Sequence, residues 1–326
     1  MDQSASFRSR LTQINENNFE DIALEVFKFQ AAENAVYARF LGLTGIRPEG
    51  IKSVSDIPFL PIRFFKNFEV KSGIWQSEKI FRSSGTTATG YSYHHVRNQD
   101  FYLKYAIRNY ENIFGALEGT CFVAILPSYT ERNDASLAAM ADCFINRTRT
   151  SGSGFFHNDP ARLRHVIDAA LVSGQSVMVL GVTFALLDLV QAGFDFTGVR
   201  IMETGGMKGR GREIIRDELH KILRGANPLE VCSEYGMTEL FSQAYARSGA
   251  TFRPGELMRI QVREINDNRA NAEPGSTGVL NIIDLANMDT CSFIETQDLG
   301  RLTEGGFEVL GRLDQSDLRG CSLMTL

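Results

Sequence analysis

The stretch Ser83-Ser84-Gly85-Thr86-Thr87-Ala88-Thr89-Gly90 gathers five hydroxyls and two glycines into eight residues. Small side chains and glycines leave backbone N–H groups open in a tight loop, and the hydroxyls add donors. That combination suits phosphate oxygens. It is not a Walker A loop, because no Gly-Lys-Ser/Thr ending occurs in the chain. A plain solvated turn is the competing reading. Ser233-Glu234-Tyr235-Gly236-Met237-Thr238-Glu239 comes just after the strand-like residues 229–232. Loops beyond strand ends are where α/β sheets bind ligands, although a glycine turn leading into a helix capped by Thr238 explains it as well. Thr204-Gly205-Gly206-Met207-Lys208-Gly209-Arg210-Gly211 joins a strand pattern to a helix pattern without matching Gly-x-Gly-x-x-Gly. It reads either as a loop approaching a planar ligand or as a flexible turn. Taken singly, Thr296-Gln297-Asp298-Leu299-Gly300-Arg301 and residues 311–321 are β-turn sequences with ordinary charges.

Nucleophiles and metal ligands are sparse. The five cysteines (Cys121, Cys143, Cys232, Cys291 and Cys321) contain no Cys-x-x-Cys pair and are too dispersed for a disulfide framework, which fits a reducing compartment. Cys121 and Cys143 sit in apolar patterns and read as core. His94-His95 follow the hydroxyl-rich loop closely and are placed to touch a nucleotide held there, whereas His157, His165 and His220 lack metal-ligand spacing. No Gly-x-Ser-x-Gly elbow marks a hydrolase.

These loops need a scaffold, and the periodicity supplies one. Phe19, Ile22, Ala23, Val26 and Phe27, then Tyr37, Phe40 and Leu41, fall on helical faces, with Asn17 and Asn18 as caps. Phe59, Phe64, Phe65 and Phe68 crowd a proline-bearing segment and are expected to pack. Strand-like runs at 121–126, 176–182 and 199–202 alternate with helical patterns from Asp134, around Leu163–Leu171, at 184–191 and at 212–223. That alternation predicts a mixed sheet covered by helices. From Leu257 the runs at 258–265, 278–284, 291–296 and 307–310 are short and separated by Asn, Gly and Pro, predicting a β-rich final third.

Composition sets outer bounds. The chain has 326 residues, 43% apolar and 22% charged, with a net charge of −5. The basic residues are scattered, which excludes a nucleic-acid binder that tracks the backbone while leaving room for small anions. The polar first sixteen residues do not read as a secretory signal. The most apolar stretch, 177–190, is interrupted by Asp188 and is too short to span a bilayer. A cytoplasmic protein without nucleic-acid partners is the expectation.

In this order, the motifs resemble those of the adenylate-forming superfamily of acyl-CoA synthetases, peptide-synthetase adenylation domains and luciferases. Residues 83–87 resemble its phosphate loop, Tyr235-Gly236-Met237-Thr238-Glu239 its Tyr-Gly-x-Thr-Glu motif, Asp298 its ribose-binding aspartate, and Gly311-Arg312-Leu313-Asp314 its Gly-Arg-x-Asp hinge. The resemblance covers residues 80–320. Within it, Leu126-Pro127-Ser128-Tyr129, Glu131-Arg132, Met202-Glu203-Thr204-Gly205-Gly206-Met207-Lys208-Gly209 and Arg319-Gly320-Cys321-Ser322-Leu323-Met324 are similar to the LuxE-type acyl-protein synthetases, the long-chain fatty-acid–protein ligases. Two departures stand out: Ala88 replaces the usual glycine, and the loop lysine is missing, with Lys79 or Arg82 as substitute cations. The chain also ends soon after the hinge, so the expectation is the large domain over 1–312, a hinge-like tail over 313–326, and no mobile C-terminal domain.

The resemblance implies ATP and Mg²⁺ as cofactors and a carboxylic acid, of the fatty class, as substrate. It implies that Ser83, Ser84, Gly85, Thr86 and Thr87 hold the β/γ-phosphates, and that Thr238 serves the α-phosphate and Glu239 the metal. Gly205, Gly206, Glu234, Tyr235 and Gly236 would line the nucleotide, with Tyr235 facing adenine and Asp298 and Arg312 on the ribose. Cys321 would take the acyl group as a thioester for hand-off to a reductase or acyltransferase, with Cys232 as the competing thiol. Two alternatives remain open here: a ligase using free coenzyme A, and a non-catalytic nucleotide-binding descendant of such enzymes.

Overall fold

The computed structural model describes residues 3–83, 90–126, 134–157, 159–205, 214–267 and 270–313. The expectations for Ser84, Gly85, Thr86, Thr87, Gly206, Cys321 and the tail from Asp314 lie outside the described residues. The chain divides into two compact units. One comprises Met1–Phe64, Val70–Gly73 and Leu257–Leu326; the other comprises Phe65–Glu69 and Ile74–Glu256.

The first unit begins with α1 (Gln3–Leu11), α2 (Phe19–Glu33) and α3 (Ala35–Leu43). The expected apolar face of α2 is buried. Asn18 stands at its N-terminus without capping it; its Oδ1 accepts from the Asn15 N–H instead (2.8 Å). Asn34 does cap α3, taking the N–H groups of Val36 and Tyr37. After the short β1 (Leu60–Pro61) comes a single turn, α4 (Phe64–Asn67), whose residues from Phe65 on belong to the second unit. Phe59 and Phe65 are buried as expected, but Phe68 is half-exposed, because α4 ends at Asn67 and Phe68 leaves its packed face.

The second unit carries a hairpin of β2 (Lys79–Arg82) and β3 (Tyr93–Val96), then an α/β succession. This runs α5 (Gln99–Phe114), β4 (Cys121–Ile125), α6 (Ser136–Thr148), β5 (Gly154–Phe155), α7 (Pro160–Val172), β6 (Val177–Val182), α8 (Thr183–Gln191), β7 (Arg200–Thr204), α9 (Arg216–Arg224) and β8 (Glu230–Tyr235). Two further strands, β9 (Ala244–Ala246) and β10 (Thr251–Pro254), close the unit. Its sheet has the order β10-β9-β8-β7-β6-β4-β5, with β5, β4, β6, β7 and β8 parallel and β9 and β10 antiparallel. Strands β4 and β6 are buried along their whole length, as strands covered on both faces must be.

The chain returns to the first unit at Leu257, where the sequence pattern turns β-rich. There β11 (Met258–Arg263), β12 (Gly278–Asp284), β13 (Phe293–Thr303) and β14 (Gly306–Arg312) form an antiparallel sheet, and β1 pairs in parallel with β13. No helix among the described residues is long and apolar enough to cross a membrane.

Candidate nucleotide and acid site

Because β4, β6, β7 and β8 are parallel, their C-terminal ends open on one edge of the sheet, where ligand loops of α/β proteins gather. Gly205 leaves β7 there at φ +65°, a left-handed conformation that glycine adopts without strain. The Thr183 hydroxyl, just past β6, donates to its carbonyl. One strand over, Thr204 donates to the buried carboxyl of Glu234, its register partner on β8. The same carboxyl lies where a Cβ on Gly236 would go, so a larger residue there must push aside the carboxyl that Thr204 holds. Burial pushes the Glu234 carboxyl up to about 7; the Thr204 hydrogen bond works against this, and nearby Glu203 adds to it.

Ser233, Glu234 and Tyr235 are the last residues of β8, and the loop proper starts at Gly236. The Tyr235 ring is buried, 5.8 Å from Phe252. No helix follows Thr238: residues 237–240 make a turn closed by the Leu240 N–H on the Met237 carbonyl (3.1 Å), and the next regular element is β9. The helix-cap reading is thereby corrected. Glu239 is buried and Thr238 half-buried in that turn.

The hydroxyl-rich loop is closed at its base by Ser83 and Ser92. The Ser83 N–H donates to the Ser92 carbonyl (3.0 Å), and the Ser92 N–H to the Ser83 hydroxyl (2.9 Å). Arg82 is bound to Asp134 (2.7 Å) and lies over the Tyr91 ring, so its charge is already balanced. The expectation for His94 needs correction: its side chain is fully buried and reaches the Thr238 carbonyl (2.8 Å), so it does not face a nucleotide. Burial lowers its pKa to about 4, with the Thr238 contact working against the shift. Neighbouring His95 meets Ser77 through Nδ1 (2.9 Å).

In the other unit, Asp298 on β13 and Arg312 on β14 are register partners and form an ion pair at 3.3 Å. Asp298 is nearly buried and Arg312 exposed. Among the described cysteines none is activated. Burial pushes the Cys232 thiol up to about 12, Cys121 to about 11 and Cys291 to about 12, while Cys143 is only half-buried on α6. His220 lies 3.0 Å from Ser233 and 3.6 Å from Glu203, but both approach the same ring nitrogen, Nε2. A hydrolytic triad needs its acid on the opposite nitrogen, so this cluster is a structural tie.

Sequence reasoning missed a polar face beside Glu234. Tyr245 of β9 pairs with Glu234, and Gln243 lies next to Gly236. The Tyr245 hydroxyl, the Gln243 Oε1 and both polar atoms of Asn109 on α5 are buried without partners among the described residues. Such groups normally bind ordered water or a ligand's polar atoms. Strand register sets Tyr245 beside Glu234, whereas Asn109 comes from α5 to lie against Gly255, and no motif announces either placement.

No protein-family model matches the chain, and no curated protein does. Solved structures do. A 2-hydroxyisobutyryl-CoA ligase, in complex with 2-HIB-AMP and CoA, superposes with a TM-score of 0.66 at 12% identity over 92% of this chain and 69% of its own. The fold is that of the adenylate-forming large domain. ATP-bound MatB from Rhodopseudomonas palustris matches over 72% of this chain and 47% of its own (TM-score 0.52, 18% identity), and apo MbtA from Mycobacterium smegmatis over 72% and 46% (TM-score 0.53, 17% identity). The chain thus spans about half the length of MatB and MbtA. Gly205 and residues 234–239 lie at the C-terminal ends of the parallel strands β7 and β8.

Proposed function

We propose that the chain activates a carboxylic acid with ATP and passes the acyl group on as a thioester. The observation that carries this reading is the placement of Glu234–Glu239 at the C-terminal end of a parallel strand in an adenylate-forming fold. A carboxylate oxygen attacks the α-phosphorus, the bond to the β-phosphate oxygen breaks, and pyrophosphate leaves. Thr238 donates to the α-phosphate, and the hydroxyl-rich loop holds the terminal phosphates, so positioning and electrostatics supply most of the acceleration. Glu239 offers one hard oxygen donor, and no group of three His, Cys, Asp or Glu side chains clusters among the described residues. That donor set fits a Mg²⁺ shared with nucleotide phosphates rather than an all-protein cage; when bound, the ion offsets phosphate charge. Asp298 and Arg312 hold the ribose.

The Cys321 thiolate then attacks the acyl carbon, the bond to AMP breaks, and AMP leaves. A partner reductase or acyltransferase collects the acyl group from this cytoplasmic acyl-protein ligase. Cys232, held as a thiol by burial, is a poor rival. The test is a panel of acids scored by ATP–pyrophosphate exchange, followed by intact mass for an acyl adduct. The panel spans fatty, aromatic and hydroxyl-bearing acids. Exchange with an acid and an adduct on the protein support the reading; release of a coenzyme A ester without an adduct selects a coenzyme A ligase; no exchange with any acid overturns it.

A further inference from the structure

We propose that His94 is a positioning residue for adenylation: it ties the Thr238–Glu239 turn to β3, next to the Ser83–Ser92 closure, and so fixes the orientation of that turn. The inference rests on the reaction proposed above and assigns a residue to it that no motif marks.

The path is short. Ser83 and Ser92 close the loop; His94 lies two residues beyond Ser92 on β3, on the same inward side of the strand. Its ring stacks on Phe241 (centroids 4.4 Å apart, planes 29° apart) and takes the edge of Phe65 at 5.7 Å. With the ring so held, Nδ1 lies 2.8 Å from the Thr238 carbonyl. A carbonyl only accepts, so Nδ1 carries the proton. The Thr238 carbonyl and the Glu239 N–H belong to one planar peptide unit. Orienting that carbonyl therefore orients the plane from which the Glu239 side chain departs, and the bond acts on the proposed metal ligand through the backbone.

Other roles fit less well. With Nδ1 committed and its pKa lowered to about 4 by burial, the ring is neutral at physiological pH and is buried away from solvent. If its purpose were packing alone, phenylalanine would serve against Phe241 and Phe65 without the cost of desolvating an imidazole. At Nδ1, what histidine adds to a phenyl ring is the donor to the Thr238 carbonyl.

The test compares His94→Phe, which keeps an aromatic ring and removes the donor, with His94→Asn, whose side-chain amide nitrogen branches from the same carbon as Nδ1 and restores it. Two readouts are taken. The first is hydrogen exchange of the ligand-free protein at the Leu240 N–H, which closes the 237–240 turn on the Met237 carbonyl. The second is ATP–pyrophosphate exchange, separated into kcat and KM. His94→Phe is expected to lose protection at Leu240 and to lower kcat by about 10- to 100-fold, the scale of a misplaced reacting geometry, with the acid's KM little changed. His94→Asn is expected to recover most of both. Parental protection at Leu240 in His94→Phe overturns the inference, as does His94→Asn losing as much as His94→Phe. Should His94→Phe fail to fold, His94→Asn alone decides: parental protection supports the tie, and lost protection overturns it. If the parent exchanges pyrophosphate with no acid, the reaction assignment fails, while the hydrogen-exchange comparison still decides whether His94 holds the turn.

Discussion

Glu234→Gln should make the protein more stable than the parent at pH 8 and flatten its stability over the range below. The Glu234 carboxyl has an ordinary pKa near 4.5 in the unfolded chain and about 7 in the fold, mainly because burial disfavours its charge. The folded state thus holds the proton more tightly. The stabilisation is complete below pH 4.5, declines as pH rises through 7, and is gone above it. At 1.36 kcal/mol per pH unit, a span of about 2.5 units corresponds to about 3 kcal/mol. Glutamine has nearly the same volume, stays neutral throughout, and its carbonyl still accepts from Thr204. Urea denaturation from pH 4.5 to 8.5, run on both proteins, gives the comparison. The variant's advantage should grow steadily between pH 5 and 7 and level off near 3 kcal/mol. Parallel stability curves over that interval would refute the argument, since they would mean that Glu234 titrates alike in the folded and unfolded states.

Glu239→Gln should reduce pyrophosphate exchange by about 10²-fold, the loss typical when a transition-state charge stabiliser is removed, with an unchanged far-UV circular dichroism spectrum; a parental rate at saturating Mg²⁺ would remove Glu239 from the site. Cys321→Ser should keep pyrophosphate exchange and lose the hydroxylamine-sensitive adduct on intact mass, while Cys232→Ser keeps it; the reverse pattern defeats the C-terminal acceptor. Gly236→Ala should cost about 1–3 kcal/mol of stability through overpacking against the Glu234 carboxyl. Most of that cost should vanish in a Glu234→Ala background, and additive losses in the double-mutant cycle would show that the two side chains do not compete for the same space.

What the sequence made legible were features with local causes. The apolar face of α2, the alternation of strands and helices to α9, and the onset of β-rich structure at Leu257 follow from side-chain period and turn residues. The readings that failed depended on who competes for a group. Asn18 has a capping side chain, but the Asn15 N–H takes it. Thr238 stands where a helix cap would, yet its carbonyl is claimed by His94 from a hairpin 144 residues away in sequence. The partnership of Glu234 with Thr204, and of both with the Tyr245 face, exists only once strands are in register. Period-two patterning says which way a side chain points; it cannot say which strand will lie alongside.

The Ser83–Ser92 stem has a consequence for how such a loop can diverge. Between the two serines lie eight residues whose ends are already joined by two hydrogen bonds. The entropy of closing a loop grows slowly with its length, by only about 0.6 kcal/mol for a doubling. Of the two closing bonds only one needs a particular side chain: Ser92 contributes its backbone N–H and carbonyl, so replacing Ser92 leaves both bonds, whereas replacing Ser83 removes the one to its hydroxyl. The departure at Ala88 and the missing lysine fall between the two serines. The side-chain requirement of this closure thus falls on Ser83 alone, and the identity of the residues between the serines is set by the loop's ligand rather than by its closure.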